Sequence, residues 1–77
     1  MDLSIFSGLY KSGEGNKALV SIQNNLLYLN RNELATCFYP ISENDFIAET
    51  GERIYFSRNG DNVTSVLIGK RVLEKVG

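Results

Sequence analysis

Arg53-Ile54-Tyr55-Phe56-Ser57-Arg58-Asn59-Gly60-Asp61-Asn62-Val63-Thr64-Ser65-Val66-Leu67-Ile68 carries the clearest strand–turn–strand pattern in the chain. On its first half Ile54 and Phe56 alternate with Arg53, Tyr55 and Ser57. Side chains of a strand point to opposite faces in turn, so this alternation is that of a half-buried strand. Asn59-Gly60 follows, the strongest short hairpin signal, because the tight turns that join twisted strands need left-handed backbone. On the second half Val63, Ser65 and Leu67 alternate with Thr64, Val66 and Ile68, which leaves apolar residues on both faces. A strand of that kind is expected to be central, or covered on its outer side.

The same rhythm runs outward in both directions. Polar turn signals recur at Ser12-Gly13-Glu14-Gly15-Asn16, Asn24-Asn25, Asn30-Arg31-Asn32-Glu33, Pro40 with Ser42-Glu43-Asn44-Asp45, and Thr50-Gly51-Glu52. Breaks at such short spacing are those of an all-β barrel or sandwich. Between them Ala18, Val20 and Ile22 share one face, and Phe46 with Ala48 marks a short strand. Val72, Glu74 and Val76 against Leu73 read as a last strand or as a closing helical turn. Residues 17–36 carry two readings. Leu19, Ile22, Leu26 and Leu29 also fall on one helical face, whereas Asn24-Asn25 and the β-branched Val20 and Ile22 favour a hairpin. The fold class expected is all-β, a small antiparallel meander forming a half-open barrel of about seven or eight short strands.

Seventy-seven residues make one domain, 1–77, near the lower end of what folds alone. Hydrophobic residues are 43% and charged residues 22%, enough for a thin core and against intrinsic disorder. The net charge is −1 with the signs interspersed, so no basic stripe marks a nucleic-acid partner. Lys70-Arg71 is the only basic doublet and reads as a solvated edge. No apolar run approaches the ~20 residues of a membrane span, and no apolar segment after Asp2 reads as a signal peptide. The single Cys37 excludes an intramolecular disulfide and reads as a small buried apolar side chain.

With no histidine, a Ser-His-Asp triad, a Cys-His pair and a conventional catalytic zinc site are excluded. No serine has a lysine three residues on, and no phosphate-cradling loop is present. Glu43 and Asp45 read as turn chemistry, and Tyr28-Leu29-Asn30 matches a Tyr-x-Asn triplet by coincidence. No catalytic residue, metal site or cofactor is therefore expected. The aromatic residues fill the core for the most part. Tyr10, Tyr28, Tyr39 and Tyr55 are the candidates for a ligand or partner surface; Tyr10, Tyr39 and Tyr55 in particular would line the barrel mouth with their hydroxyls wet.

Phe6-Ser7-Gly8-Leu9-Tyr10 resembles the Tyr-x-Gly-x-Tyr opening of a lipocalin-like β domain. That domain, of unknown function, is found at the C-terminus of bacterial β-lactamase-like and penicillin-binding-protein-like serine hydrolases. The resemblance continues through Val20-Ser21-Ile22-Gln23-Asn24-Asn25-Leu26, through Phe38-Tyr39-Pro40-Ile41-Ser42-Glu43-Asn44-Asp45-Phe46, similar to Leu-x-Pro-x-Ser-x-x-x-Phe, and through residues 53–59 and 63–66, similar to the strands before and after its Asn-Gly-type hairpin. It covers nearly the whole chain in order, with Phe6 in place of the opening Tyr and Phe38 in place of an aliphatic residue. It implies two strands over 17–36, and an accessory domain cut from a larger polypeptide whose catalytic domain is its partner. It implies a host exported to the periplasm or cell exterior, and supplies no catalytic residue. A free-standing carrier of a small apolar ligand and a protein-interaction module are the competing expectations.

Overall fold

The turns are what let so short a chain close on itself. The computed structural model of the chain describes residues 2–77. At Asn24-Asn25 both residues are left-handed, φ 52° and 61°, and the flanking Gln23 and Leu26 are paired. Asn32 and Glu33 do the same at φ 49° and 68°, between the paired Arg31 and Leu34. Two left-handed central residues define the hairpin turn whose twist matches the strands it joins. The residues 17–36 are thus two hairpins' worth of strand, and the helical periodicity of their leucines has no structural counterpart.

Eight strands follow a 3-10 turn, Ser4–Phe6: β1 Gly8–Lys11, β2 Lys17–Gln23, β3 Leu26–Arg31, β4 Leu34–Pro40, β5 Asp45–Ile47, β6 Arg53–Asn59, β7 Asn62–Ile68 and β8 Arg71–Lys75. Each pairs antiparallel with the next, and β8 pairs with β1 through Tyr10–Lys75 and Lys11–Glu74. The meander is a closed barrel where a half-open one was expected. Closure adds hydrogen bonds from Leu9 N–H to the Gly77 carbonyl (3.1 Å) and from Val76 N–H to the Leu9 carbonyl (2.7 Å). Gly8 makes this seam: its φ is +148°, and a Cβ there would collide with the Gly77 carbonyl.

The apolar residues on both faces of 63–68 have a simple cause. Ser57 pairs with Ser65 but Arg58 with Val63, so Thr64 is one extra residue on β7. This bulge shifts the alternation by one, and Val63 and Val66 both turn inward. The Thr64 hydroxyl donates to the Ser57 carbonyl at 3.1 Å. The cover expected over this strand is therefore needed for Leu67 alone, which is 40% exposed.

An eight-stranded barrel is just wide enough for side chains to fill. Here the filling is aromatic. Phe6, Tyr10, Phe38, Phe46 and Phe56 are fully buried with Leu27, Leu29, Ile54, Val20 and Val66. The Phe6 ring lies 4.6 Å from Phe56 and 5.3 Å from Phe46, the latter edge-on, the geometry ring quadrupoles prefer. Phe6 comes from the 3-10 turn rather than from the wall. With Leu3 it stoppers the end where the β2–β3, β4–β5 and β6–β7 turns lie. Arg58 covers it from β6, its guanidinium carbon 5.9 Å from the ring centre.

Candidate functional site

The opposite end, where the β1–β2, β3–β4, β5–β6 and β7–β8 connections lie, has no stopper. A basin of about 700 Å³ opens there, reached by Ala18, Ile68 and Leu73 from the strands and by Asn16, Arg31, Glu52 and Arg71 at the rim, and it runs over onto the outer wall at Leu9, Leu19 and Asn30. Alternation puts Arg31 on the inward face of β3 with Leu27 and Leu29. From there it crosses the mouth to Glu52 just before β6, 2.9 Å away, each side chain about one-third exposed at 32%. Arg71 lies 3.5 Å from Glu14 of the β1–β2 loop. Both guanidiniums at the basin thus already face a carboxylate.

None of the four tyrosines lines this mouth. Tyr10 is a correction: it is wholly buried, and its hydroxyl donates to the Phe6 carbonyl at 2.7 Å. Leu9 and Tyr10 are both apolar enough to face inward, and the larger ring took the interior while Leu9 faces out. Burial raises the Tyr10 phenol far above its ordinary value of 10.0. Tyr28 and Tyr39 instead flank Cys37 on the outer wall, Tyr28 as its cross-strand partner and Tyr39 two residues along β4. Cys37 is half-buried on that outer face, not in the core as expected, because Phe38 beside it holds the inward position. The Tyr39 phenol is raised by its neighbour Cys37 first and then by Glu49. Tyr55 stands elsewhere.

Tyr55 belongs to a row that the four-residue expectation did not contain. On β6, β7 and β8, Tyr55 pairs with Leu67 and Leu67 with Val72. All three face outward, at 43%, 40% and 55% exposure. Arg53 and Lys70 lie on one side of the row and Ser57, Ser65 and Glu74 on the other. The sequence signal for this row was present in the alternation at 53–57. What hid the rest was the bulge, which makes the outward Leu67 look like one of several outward apolar residues.

The remaining motif residues serve the turns. Ser42 donates to the Asp45 carboxylate at 2.9 Å, and Glu43 reaches Arg58 at 3.7 Å. Asn30 of the Tyr-x-Asn triplet donates to the Leu19 carbonyl (3.0 Å) and the Ser21 hydroxyl (3.1 Å) across the β2–β3 pair. Among the described residues no three His, Cys, Asp or Glu side chains converge as a metal site. No helix among them is long and apolar enough to cross a membrane.

The fold and surfaces together define a small, closed, antiparallel β-barrel with a filled interior and an apolar row on its outer wall. No family model matches the chain, and no curated protein matches it.

Proposed function

We propose that the barrel is a non-catalytic accessory module that docks on a larger domain through the outer wall of β6, β7 and β8. The observation that carries this is the row Tyr55, Leu67 and Val72: three apolar side chains that are direct cross-strand neighbours on a solvent face. Alternation ordinarily puts polar residues at such positions. A contiguous apolar strip with a charged rim is the composition of a protein interface. The resemblance of residues 6–66 to C-terminal domains of β-lactamase-like serine hydrolases supplies the host. The row would lie against the catalytic domain of the same polypeptide, and the barrel would shape access to its active site. The carrier reading rests on the basin at the open mouth and is the weaker one. The interior is packed with rings, and the rim cations already face Glu52 and Glu14.

The test is a Tyr55→Ser, Leu67→Ser pair in the native polypeptide and in the isolated barrel. Both positions are outward, so the isolated barrel loses no more than about 1–2 kcal/mol in urea unfolding, the worth of the cross-strand contacts. In the native polypeptide, amides of β6, β7 and β8 lose hydrogen-exchange protection and the substrate range shifts. Unchanged exchange and unchanged substrate range would sink the reading. So would a native product of only 8.6 kDa, the mass of this chain, since no catalytic domain would then accompany the barrel.

A further inference from the structure

Several strands outrun a neighbour, so that Ser21–Gln23 of β2, Phe56–Asn59 of β6, Asn62–Thr64 of β7 and Arg71–Leu73 of β8 have a strand partner on one side only, and β4 carries the longest such run. On its β3 side Leu34 to Phe38 are all paired. On the other side β5 is only three residues long and meets β4 at Tyr39 and Pro40 alone. After β5 the chain folds into its own turn, with Ala48 N–H bonded to the Glu52 carbonyl and Gly51 N–H to the Ala48 carbonyl, each at 2.9 Å. Residues 34–38 therefore have a strand partner on one side only.

Which backbone groups face the empty side follows from the turn. In a two-residue hairpin with both central residues left-handed, the flanking pair exchanges both of its hydrogen bonds. Arg31 and Leu34 are that pair. Leu34, Thr36 and Phe38 thus direct N–H and C=O to β3, and Ala35 and Cys37 direct theirs away from it. The same parity continues to Ile41, whose N–H bonds the Asp45 carbonyl at 2.8 Å, on the β5 side.

Exposed sheet edges are normally guarded by charge, proline or a bulge. Leu34-Ala35-Thr36-Cys37-Phe38 has none of these, and Leu34 is 67% exposed. The one cation opposite the stretch, Arg31 across from Leu34, is engaged by Glu52, which leaves carboxylates at the two ends of the stretch. Glu33 sits at the hairpin tip and Glu49 in the β5–β6 turn, both exposed, and neither is in an ion pair among the described residues.

We propose that the free edge of β4, centred on Ala35 and Cys37, docks an extended, positively charged segment of another polypeptide, which pairs there as an added strand. The backbone groups of Ala35 and Cys37 set the extended conformation of the occupant. Small or apolar side chains fit beside Leu34, and Glu33 and Glu49 select Lys or Arg at its ends. This surface is separate from the Tyr55, Leu67 and Val72 row and does not depend on it.

The test is NMR titration of the isotopically labelled chain with two blocked pentapeptides, Lys-Val-Thr-Val-Lys and Glu-Val-Thr-Val-Glu. The lysine peptide is expected to shift amides of residues 33–38 and 49, and to slow exchange of the Ala35 and Cys37 amides. At low salt it binds at least about tenfold more tightly than the glutamate peptide, a preference that fades as salt screens the charges. Ala35→Pro removes the outward N–H without touching the β3 ladder and abolishes binding. Should that variant fail to fold, Glu33→Lys with Glu49→Lys reverses the peptide preference instead. Absence of shifts, shifts centred on Tyr55, Leu67 and Val72, or a concentration-dependent dimer of the barrel alone through this edge would each overturn the proposal.

Discussion

The two ends of the barrel are built from the same eight strands and finish in opposite ways. At one end Leu3 and Phe6 drop into the interior from outside the wall, and four aromatic rings, Phe6, Tyr10, Phe46 and Phe56, meet there within 4.6 to 5.8 Å of one another in linked pairs. At the other end Asn16, Arg31, Glu52 and Arg71 line an open basin. A domain of 77 residues has little core to spend on both. Stability is concentrated at the stoppered end. The open mouth and the outer wall are left for surfaces whose residues do not decide whether the chain folds.

Phe6→Ala strikes that asymmetry hardest. It removes a fully buried ring at the centre of the aromatic cluster, and large-to-small changes of this kind cost about 3–5 kcal/mol. Against a total of about 5–15 kcal/mol for a domain, a urea midpoint should fall far or the transition disappear. A loss below about 1 kcal/mol would mean that the stopper does not hold the barrel together and that the two ends do not differ in energy.

Tyr10→Phe is the next in size and carries a pH signature. The substitution keeps the ring and removes the hydrogen bond to the Phe6 carbonyl, at a cost of about 1–2 kcal/mol near neutrality. Burial raises the phenol's pKa in the folded state above the ordinary 10.0 of the unfolded chain. Its contribution is therefore fully present below pH 10 and is lost as pH rises beyond that toward the folded value. Urea midpoints taken from neutral to strongly alkaline pH should fall less steeply for Tyr10→Phe than for the wild-type chain. Tyr39 is shifted in the same direction but lies on the outer wall, so the part of the alkaline fall that survives in Tyr10→Phe should be the smaller one.

The division between the ends also marks what could be read in the sequence. Local signals survived intact: Asn24-Asn25 forms the left-handed turn that asparagine tolerates, and Ile54 and Phe56 face the core as their alternation requires. At the other hairpin the tip falls one residue later than Asn59-Gly60. Asn59 ends β6, and Gly60 with Asp61 makes the turn. Non-local features were illegible. Closure depends on β1 meeting β8 from opposite ends of the chain, and Gly8 looks like any other glycine until Gly77 is beside it. Ser4-Ile5-Phe6 carries no periodicity, and Phe6 stood only in place of the opening Tyr of the Tyr-x-Gly-x-Tyr segment, with nothing to mark it as a stopper. Tyr10 and Leu9 offered two apolar faces on one strand, and only the assembled interior chose between them. The row Tyr55, Leu67 and Val72 needed the register across three strands, which Thr64 displaces by one.

The smallest effect is expected where the open mouth looks most tightly tied. Arg31 and Glu52 bridge it at 2.9 Å, and by distance alone they would pass for a clasp. Each side chain is still about one-third exposed, at 32%, so water competes for both charges and salt screens them. Holding two long side chains in one geometry also costs rotamer freedom. Exposed pairs of this kind contribute about 0–1 kcal/mol, and Glu52→Gln, which can keep one hydrogen bond to the guanidinium, should cost less than about 0.5 kcal/mol. That cost should shrink further in high salt. A penalty above about 2 kcal/mol would place Arg31–Glu52 in the same class as the aromatic stopper. The mouth would then be a structural closure in its own right, and the energetic contrast between the two ends would fail.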